Sequence, residues 1–350
     1  MDFEDNNNPN TTNPIPPHTM AHPMYIPQKR KKGSFWKIFW GIILGISILA
    51  NIALFLMLIG VGMFVMTGQR GNLMEEVVRE GPIGTKIAIV NLVGTIYEEQ
   101  ADYVYKQLKA AQKDSQIKAV ILRVDSPGGT VSASDRIYHE IIDFQQKTKK
   151  PVIAFMQGTA ASGGYYASVA CKKIIAEPTT ITGSIGVISS YLVLQNLLED
   201  KLGVQPVVVK SGEKKDWPSS FRAPTDAEIQ YINDKLIVPT LDIFINVVAK
   251  GRQNLLTLEE VKTLADGSIF GAKEALQNKL IDQIGYLDDA ITLIKSIAGI
   301  SGNVQVIEYR KPFSLGSLLG AETKGNLFKL DRNTLYELGT PQTLYLWSAY

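Results

Sequence analysis

Histidine and cysteine are scarce in this sequence of 350 residues, which has three histidines and one cysteine. His18 and His22 lie in an N-terminal stretch rich in Asn and Pro, so only His139 could serve the body of the chain. A Ser-His-Asp triad, which needs an imidazole against the serine hydroxyl, is therefore disfavoured. The single Cys171 excludes an intramolecular disulfide and argues against a structural zinc site. No metal or cofactor is expected.

Neither basic nor acidic residues are in large excess. Lys and Arg total 36 and Asp and Glu total 34, which gives a net charge of +2. A protein that attracts nucleic acid through its overall field carries a larger excess of basic residues. The composition therefore predicts no nucleic-acid partner.

Charged residues are absent from Ile38 to Met66. An α-helix needs about 20 apolar residues to cross a bilayer, whereas the apolar region of a cleavable signal peptide has about 7–15. We therefore predict a transmembrane helix over 38–66. Because the basic run Lys29–Lys32 precedes it and only Arg70 follows closely, the positive-inside rule places a disordered tail, 1–37, in the cytoplasm and the rest of the chain outside it. A nucleic-acid patch or a localisation signal is the alternative interpretation of the basic run.

Apolar and amphipathic stretches alternate after the predicted span. We predict a linker over 67–84, with a helix from Leu73 to Glu80, then an α/β domain over 85–310 and a C-terminal tail over 311–350. Mostly apolar strands that alternate with helices favour a largely parallel sheet. The predicted strands are 86–93, 119–125, 151–156, 173–176, 186–189, 206–210 and 304–309, and the predicted helices are 100–112 and 132–146, followed by a mainly helical stretch over 225–298. The composition of the tail is compatible with a docking strand or with a mobile end.

Two glycine-rich turns follow two of the predicted strands. The first is Asp125-Ser-Pro-Gly-Gly129, and the second carries Ser162 within Gly158-Thr-Ala-Ala-Ser-Gly-Gly164. Open α/β sheets bind ligands at the carboxyl ends of their strands, and glycines let backbone N–H groups approach a ligand closely. We therefore predict Ser162 as a nucleophile, with Gly129 and Gly163 as donors to the oxyanion. Each motif by itself is as typical of a turn or a helix N-cap.

A lysine is the expected base for Ser162, since no suitable histidine is present. Candidates lie in Lys210-Ser-Gly-Glu-Lys-Lys-Asp216. To accept a proton near neutral pH, a lysine must have its pKa lowered by about 3 from ~10.4, which requires burial or a cationic neighbour. Taken alone, the segment is as typical of a solvated basic loop.

The order and spacing of these motifs resemble the signal peptide peptidase A family, membrane-anchored serine peptidases with a fold like crotonase and Clp protease. The resemblance covers about residues 85–310 in its short, single-repeat form. The segments that carry it are Asp125–Gly129, Ala161–Tyr165, Thr182–Val187, Lys210–Asp216, Ala265–Gly271, Ala272–Leu280 and Asp282–Gly285.

The resemblance implies a serine–lysine dyad. By motif, Ser162 is the nucleophile, Lys215 the general base and Ser184 the residue that orients the lysine amine, while Lys214 and Lys210 remain alternatives for the base. The long form of the family has two tandem repeats and takes its lysine and serine from different repeats, whereas this chain has one. We therefore expect a homo-oligomeric ring in which Ser162 of one protomer meets Lys215 of its neighbour.

The expected function is endopeptidase cleavage of signal-peptide remnants by a single-pass protein of the cell membrane, with its catalytic domain outside the cytoplasm. Its expected partners are peptide substrates, the lipid bilayer and further copies of the chain. The alternatives are a serine–lysine protease that cuts the terminus of a membrane protein, a crotonase-type acyl-CoA enzyme and an inactive membrane scaffold. The anchor and the serine–lysine pair argue against the acyl-CoA enzyme.

Overall fold

The computed structural model describes residues 34–68, 73–82, 84–311 and 342–347. The predicted disordered tail before residue 34, with its basic run, and most of the C-terminal tail lie outside the described residues. The helices are α1 Ser34–Gly68, α2 Glu98–Lys113, α3 Val131–Thr148, α4 Gly163–Ser168, α5 Asp226–Ile232, α6 Val238–Gly251, α7 Leu258–Leu264, α8 Ala272–Gln277 and α9 Leu287–Ile297. The strands are β1 Met74–Arg79, β2 Lys86–Val93, β3 Ile117–Ser126, β4 Gly128–Thr130, β5 Val152–Ala161, β6 Ile174–Ala176, β7 Ile181–Gly183, β8 Ile188–Ser190, β9 Ile269–Gly271, β10 Gln283–Ile284, β11 Gln305–Arg310 and β12 Gln342–Leu346.

Helix α1 has the length and composition of a membrane span. Its segment Phe35–Gly60 is apolar enough to cross a bilayer, and its side chains are exposed. The amide of Asn51 donates to the carbonyl of Ser47 one turn back, at 2.7 Å, so the helix itself satisfies this polar group. The helix predicted over 38–66 is therefore present, with a few more residues at each end.

The larger sheet positions the candidate site. Its strands lie in the order β1-β11-β2-β3-β5-β6-β10, with β7 beside β5 and β9 beside β7. From β11 to β10 neighbouring strands run parallel, whereas β1 and β9 pair antiparallel with their neighbours. This confirms the predicted α/β class with a mostly parallel sheet, and the predicted final strand does return to the sheet as β11 beside β2.

The central strands β2, β3 and β5 are buried on both faces, which explains why they read as nearly continuous apolar runs. Along β2, Ile87 and Ile89 join one core with α9, while Ala88 and Val90 join a second, larger core with α2, α3, α4 and α6. The parallel arrangement brings the carboxyl ends of β3 and β5 to the same edge. The two glycine-rich turns therefore meet there, as the sequence predicts.

Two predicted elements are wrong. The linker helix over Leu73–Glu80 is the edge strand β1, which pairs Met74 with Arg310 of β11. All six of its side chains are exposed, so hydrogen bonding to β11 decides its conformation and apolar periodicity does not. The strand predicted over 206–210 is absent: this stretch lies on the surface, with Val207 85% and Val209 94% exposed.

A third prediction needs a smaller correction. The segment predicted as a strand over 186–189 is β8, at Ile188–Ser190, and it lies outside the larger sheet. It forms a second sheet in the order β4-β12-β8. Its partner β12 comes from the C-terminal tail, which therefore docks as a strand.

Candidate active site

Ser162 lies in a strained turn between β5 and α4. Its backbone has φ 52° and ψ −113°, in the left-handed half of conformational space that non-glycine residues seldom adopt. Such strain costs about 1–3 kcal/mol and clusters at functional sites. The Ser162 N–H donates to the carbonyl of Gly183 at 2.8 Å, which ties the turn to β7. Only 1% of the residue is exposed.

Ser184 lies next to Ser162 in the fold. Ala161 of β5 pairs with Gly183 of β7 in parallel register, so the two serines follow directly paired residues. Ser184 also has a positive φ, 49°, and its N–H donates to the carbonyl of Ser268 at 2.7 Å. Neither serine hydroxyl has a hydrogen-bond partner within the described part of the chain. The structure thus brings together two of the predicted site residues.

The glycines of the first turn direct one N–H, that of Gly129, towards the cleft. The Ile96 N–H donates to the carbonyl of Gly128 and the Thr130 N–H donates to the carbonyl of Ile96, both at 2.8 Å. Because successive peptide groups of a strand point to opposite sides, the N–H of Gly129 faces away from Ile96. It therefore faces the strand on the other side of β4, which is β12.

Strand β12 occupies the cleft in the way an extended peptide would. Tyr345 pairs with Gly129 in antiparallel register, and the Trp347 N–H donates to the carbonyl of Pro127 at 2.8 Å. Because hydrogen-bonded pairs alternate along an antiparallel ladder, Tyr345 and Gly129 form the next such pair, and the Gly129 N–H donates to the carbonyl of Tyr345.

Gly163 lies close to the same carbonyl. A Cβ on Gly163 would lie 3.1 Å from the Tyr345 oxygen, and a Cβ on Gly128 would lie 2.0 Å from that oxygen and 2.8 Å from the Gly163 nitrogen. Gly128 has a φ of +100°, which only glycine adopts freely. The two predicted oxyanion donors, Gly129 and Gly163, therefore both lie near one peptide carbonyl, and Gly163 directly follows Ser162.

The cleft continues into a cavity of about 350 Å³. Ser184 lines it, together with Leu346 and Trp347 of the tail. The tail thus extends past the two serines on both sides of the Tyr345 carbonyl. A polypeptide can cross this site in extended form.

The segment that carries the candidate lysines, 210–216, lies on the surface, unlike the buried Ser162. Glu213–Asp216 forms one turn of 3₁₀ helix, and Lys215 on this turn is exposed. Lys214 stacks over the rings of Trp217 and Tyr231, with its Nζ 5.5 and 4.6 Å from their centroids.

Lys210 is also engaged. Its Nζ lies 2.7 Å from Asp216 Oδ1, and Asp216 is 3.6 Å from Arg222. Hydrogen bonding from Lys210 lowers the pKa of the Asp216 carboxyl, so this carboxylate stays ionised. Among the three candidate bases, Lys215 is the one whose ammonium has no partner among the described residues. No hydrogen bond among the described residues joins Ser162 to a lysine.

Two features of the site escape sequence reasoning. Gly128 supplies the space for the bound carbonyl; the Pro-Gly-Gly turn is its signal in the sequence, whereas the prediction names Gly129. Tyr345 fills the cleft from more than 180 positions away along the chain, and only the apolar, aromatic end of the sequence hinted at a docking strand.

Comparisons with known proteins fit this geometry. Residues 144–301 match the profile of peptidase family S49, and residues 84–181 match that of Clp protease, which confirms the expected fold. A protein of Enterococcus faecium described provisionally as signal peptide peptidase SppA is 38% identical over 247 residues, covering 67% of this chain and 70% of that protein. A provisionally described protease of Synechocystis is 39% identical over 230 residues, covering 65% and 80%. Protease 4 of Haemophilus influenzae is 38% identical over 216 residues, and the matched region spans 34% of its length.

Proposed function

This chain belongs to peptidase family S49, and we propose that it is a membrane-anchored serine endopeptidase that degrades signal-peptide remnants with a serine–lysine dyad. The observation that carries the proposal is the extended strand β12 in the cleft, with Tyr345 paired to Gly129 and its carbonyl close to Gly163, the residue after the buried Ser162. A substrate held in this way presents a peptide carbonyl to a nucleophile and to two N–H donors.

The proposed reaction has two stages. Ser162 Oγ attacks the carbonyl carbon while Lys215 takes the hydroxyl proton, and the N–H groups of Gly129 and Gly163 stabilise the oxyanion. Lys215 then protonates the leaving amine as the C–N bond breaks, which leaves an acyl-enzyme on Ser162. Water, deprotonated by the same lysine, hydrolyses the ester and restores the serine. Ser184 orients the lysine amine through its hydroxyl.

We propose that Lys215 reaches Ser162 of a neighbouring protomer in a homo-oligomeric ring. Three observations support this: Lys215 is exposed in the single chain, Ser162 has no described hydrogen-bond partner, and the stretch 202–209 beside the lysine segment exposes Leu202, Val207 and Val209. Several large apolar side chains exposed within one short segment are typical of a protein–protein contact. Burial in that contact would also lower the pKa of a lysine, as a general base requires.

The membrane placement supports the choice of substrate. Helix α1 would anchor the protein with residues 1–37 in the cytoplasm and the peptidase domain on the other side, by the positive-inside rule. Remnants of signal peptides are apolar and leave the bilayer near this anchor. The cavity beside Ser184 that Val187, Leu241 and Leu346 line can receive apolar side chains.

The proposal is tested with the full-length protein in detergent and a panel of synthetic signal peptides. We expect cleavage by the wild type and by Lys214→Ala, and none by Ser162→Ala or Lys215→Ala, with all four proteins assembling alike on size exclusion. Lys214→Ala is the matched control because it removes the adjacent ammonium. Activity that survives in Lys215→Ala but not in Lys214→Ala would identify Lys214 as the base.

Failure of the assembled wild type to cut any signal peptide would contradict the proposed substrate. Cleavage of a membrane-protein terminus instead would favour the related protease, and loss of all hydrolysis would favour a scaffold. Activity that requires coenzyme A thioesters would indicate the crotonase-type reaction.

A further inference from the structure

A groove of about 590 Å³ lies between strand β1 and helix α2, and it shares no lining residue with the cavity beside Ser184. Leu73 and Glu75 line it on the side of β1, and Tyr309 of β11 lies at its base. The lining residues from α2 are Tyr105, Lys106, Lys109, Ala110 and Lys113. The groove therefore combines a basic rim with an aromatic base.

The basic rim is one face of α2. Lys106, Lys109 and Lys113 are three and four residues apart, which places them on the same side of an α-helix. Lys109 donates to Gln112 at 3.2 Å, whereas the ammonium groups of Lys106 and Lys113 have no hydrogen bond or ion pair with any described residue. Like charges at this spacing destabilise a helix. An anion bound between them would relieve that repulsion.

The carboxylates beside the groove are already paired. Lys86 Nζ lies 2.9 Å from Glu75 Oε2 and 3.4 Å from Asp114 Oδ2. The hydrogen bond with Glu75 raises the pKa of Lys86 against the opposing effect of burial, so its ammonium stays charged. Lys86 thus engages both carboxylates, and the three lysines of α2 remain as an excess of positive charge.

The base of the groove holds an unpaired hydroxyl. Tyr309 is 2% exposed, and its Oη has no hydrogen-bond partner among the described residues. Burial raises the pKa of this hydroxyl well above its ordinary value of 10, so it stays protonated and can donate. A buried donor without a partner carries a desolvation cost that an acceptor on a ligand would recover.

We propose that this groove binds the phosphate group of a phosphoester, with the lysines of α2 around its oxygens and the Tyr309 hydroxyl donating to one of them. Phosphate combines negative charge with several acceptor oxygens, which matches these donors. Leu73 and Ala110 offer apolar contacts to the carbon atoms of the ester. The proposal does not depend on the peptidase function.

The source of phosphate that we favour is an anionic phospholipid. Leu73 follows Gly68, the last residue of α1, by only five positions, and α1 has the composition of a membrane span. Lysines close to a membrane are attracted to anionic headgroups. A free phosphoester has the same chemistry and is the other possible source.

Full-length protein in a non-ionic detergent tests both sources. Calorimetry with glycerol 3-phosphate probes a free phosphoester. Native mass spectrometry with equal amounts of phosphatidylglycerol and phosphatidylcholine, with the same acyl chains, probes a headgroup. We expect the wild type to retain phosphatidylglycerol preferentially, and Lys106→Ala/Lys113→Ala to lower the ratio of the two bound lipids on the order of 30-fold.

Lys118→Ala/Lys149→Ala is the matched control, because it removes the same charge from exposed positions outside the groove. A preference for phosphatidylglycerol without binding of glycerol 3-phosphate would identify the membrane as the source. Binding of glycerol 3-phosphate without a lipid preference would identify a free phosphoester. Absence of both, or an equal loss in the control, would overturn the proposal.

Tyr309→Phe gives a second readout. Because the hydroxyl is unpaired, its removal should leave the urea midpoint of unfolding unchanged or higher, while phosphoester binding weakens about fivefold. Tyr103→Phe is the matched control: Tyr103 Oη donates to the carbonyl of Tyr309 at 3.0 Å, so its loss should lower the midpoint and leave binding unchanged. A lower midpoint or unchanged binding in Tyr309→Phe would overturn the assigned role of this hydroxyl.

Discussion

The two residues of the proposed dyad lie in regions that are built in opposite ways. Ser162 follows a central parallel strand, is 1% exposed and is held in a strained conformation by β7. Lys215 lies on a short 3₁₀ turn, after an exposed stretch that forms no strand, and its side chain is exposed. In the proposed mechanism, the surroundings of the nucleophile are therefore complete in one chain, whereas the base still needs a covering surface.

This difference has a physical consequence for function. A buried, strained serine keeps its geometry without a partner, because the surrounding sheet determines it. An exposed lysine acquires the burial that a general base needs only when another surface covers it. Activity should therefore depend on assembly through the lysine region, 202–217, and stability should depend on the serine region, β5 to α4.

The sharpest contrast between the regions is predicted for Lys215→Ala. Because the side chain is exposed and has no described partner, its removal should change the free energy of unfolding by less than about 0.5 kcal/mol. Peptide hydrolysis should nevertheless fall on the order of 10⁴-fold, since the base is lost. Urea unfolding and steady-state kinetics of the same full-length preparation measure both. A large loss of stability with retained activity would reverse the comparison.

Gly128→Ala tests the serine side of the cleft. Its new Cβ would overlap the position of the bound carbonyl, 2.0 Å from the Tyr345 oxygen, so kcat/KM should fall on the order of 100-fold. Gly94→Ala is the matched control: it has a similar positive φ, +80°, but no atom within 4 Å of the new Cβ. Both variants share the backbone strain, and only Gly128→Ala should lose this activity. Equal losses would mean that strain, and not the cleft, is responsible.

A smaller effect is predicted at the support of the lysine region. A hydrogen bond from Arg222 lowers the pKa of Glu228 to about 2, against partial opposition from burial, and Arg222 also lies 3.6 Å from Asp216. Since the folded pKa lies below the ordinary value of 4.5, this stabilisation is fully present above about pH 4.5 and is lost as pH falls towards 2.

We expect Glu228→Gln to be less stable than the wild type by about 2 kcal/mol at pH 7, with a smaller difference at pH 3. Urea unfolding at the two pH values measures this, with the exposed Glu213→Gln as the control that should show no such dependence. A difference that grows as the pH falls would contradict the assigned ion pair.

The smallest predicted effect concerns the strain at Ser162. Glycine adopts a φ of 52° freely, whereas alanine does not, so Ser162→Gly should be about 1 kcal/mol more stable than Ser162→Ala. Because both variants lack the hydroxyl, the difference in their free energies of unfolding reports the backbone strain alone. At Ser168, inside α4, the same pair of substitutions should have the opposite order, because glycine weakens a helix. Equal stability of the two Ser162 variants would argue against a strained nucleophile.

Sequence reasoning succeeds where burial imposes a pattern. The strands over 86–93 and 119–125 are buried on both faces, so their apolar runs identify them. It fails where hydrogen bonding or a partner decides the conformation. Met74–Arg79 is a strand because β11 offers an edge, and the apolar run at 206–210 stays on the surface of the single chain.

The proximity of four candidate site residues could be predicted from the sequence: Ser162, Ser184, Gly129 and Gly163. Each lies in a turn or strand end that a short sequence motif marks, and the pairing of the parallel strands brings these turns together. The ring of Tyr345 in the C-terminal strand packs against Tyr166 of α4 and Phe244 of α6, and no local sequence pattern predicts such a combination. The meeting of Ser162 with Lys215 stays a prediction, because it depends on a contact between copies of the chain.

Mixing inactive proteins tests that meeting most directly. Full-length Ser162→Ala and Lys215→Ala are dissociated, mixed and reassembled, and co-assembly is verified with two different affinity tags. Recovered peptide cleavage in the mixed assembly, with none in either parent alone, is the result that a shared site predicts. Verified mixed assemblies that remain inactive would contradict the claim that the serine of one protomer is activated by the lysine of the next.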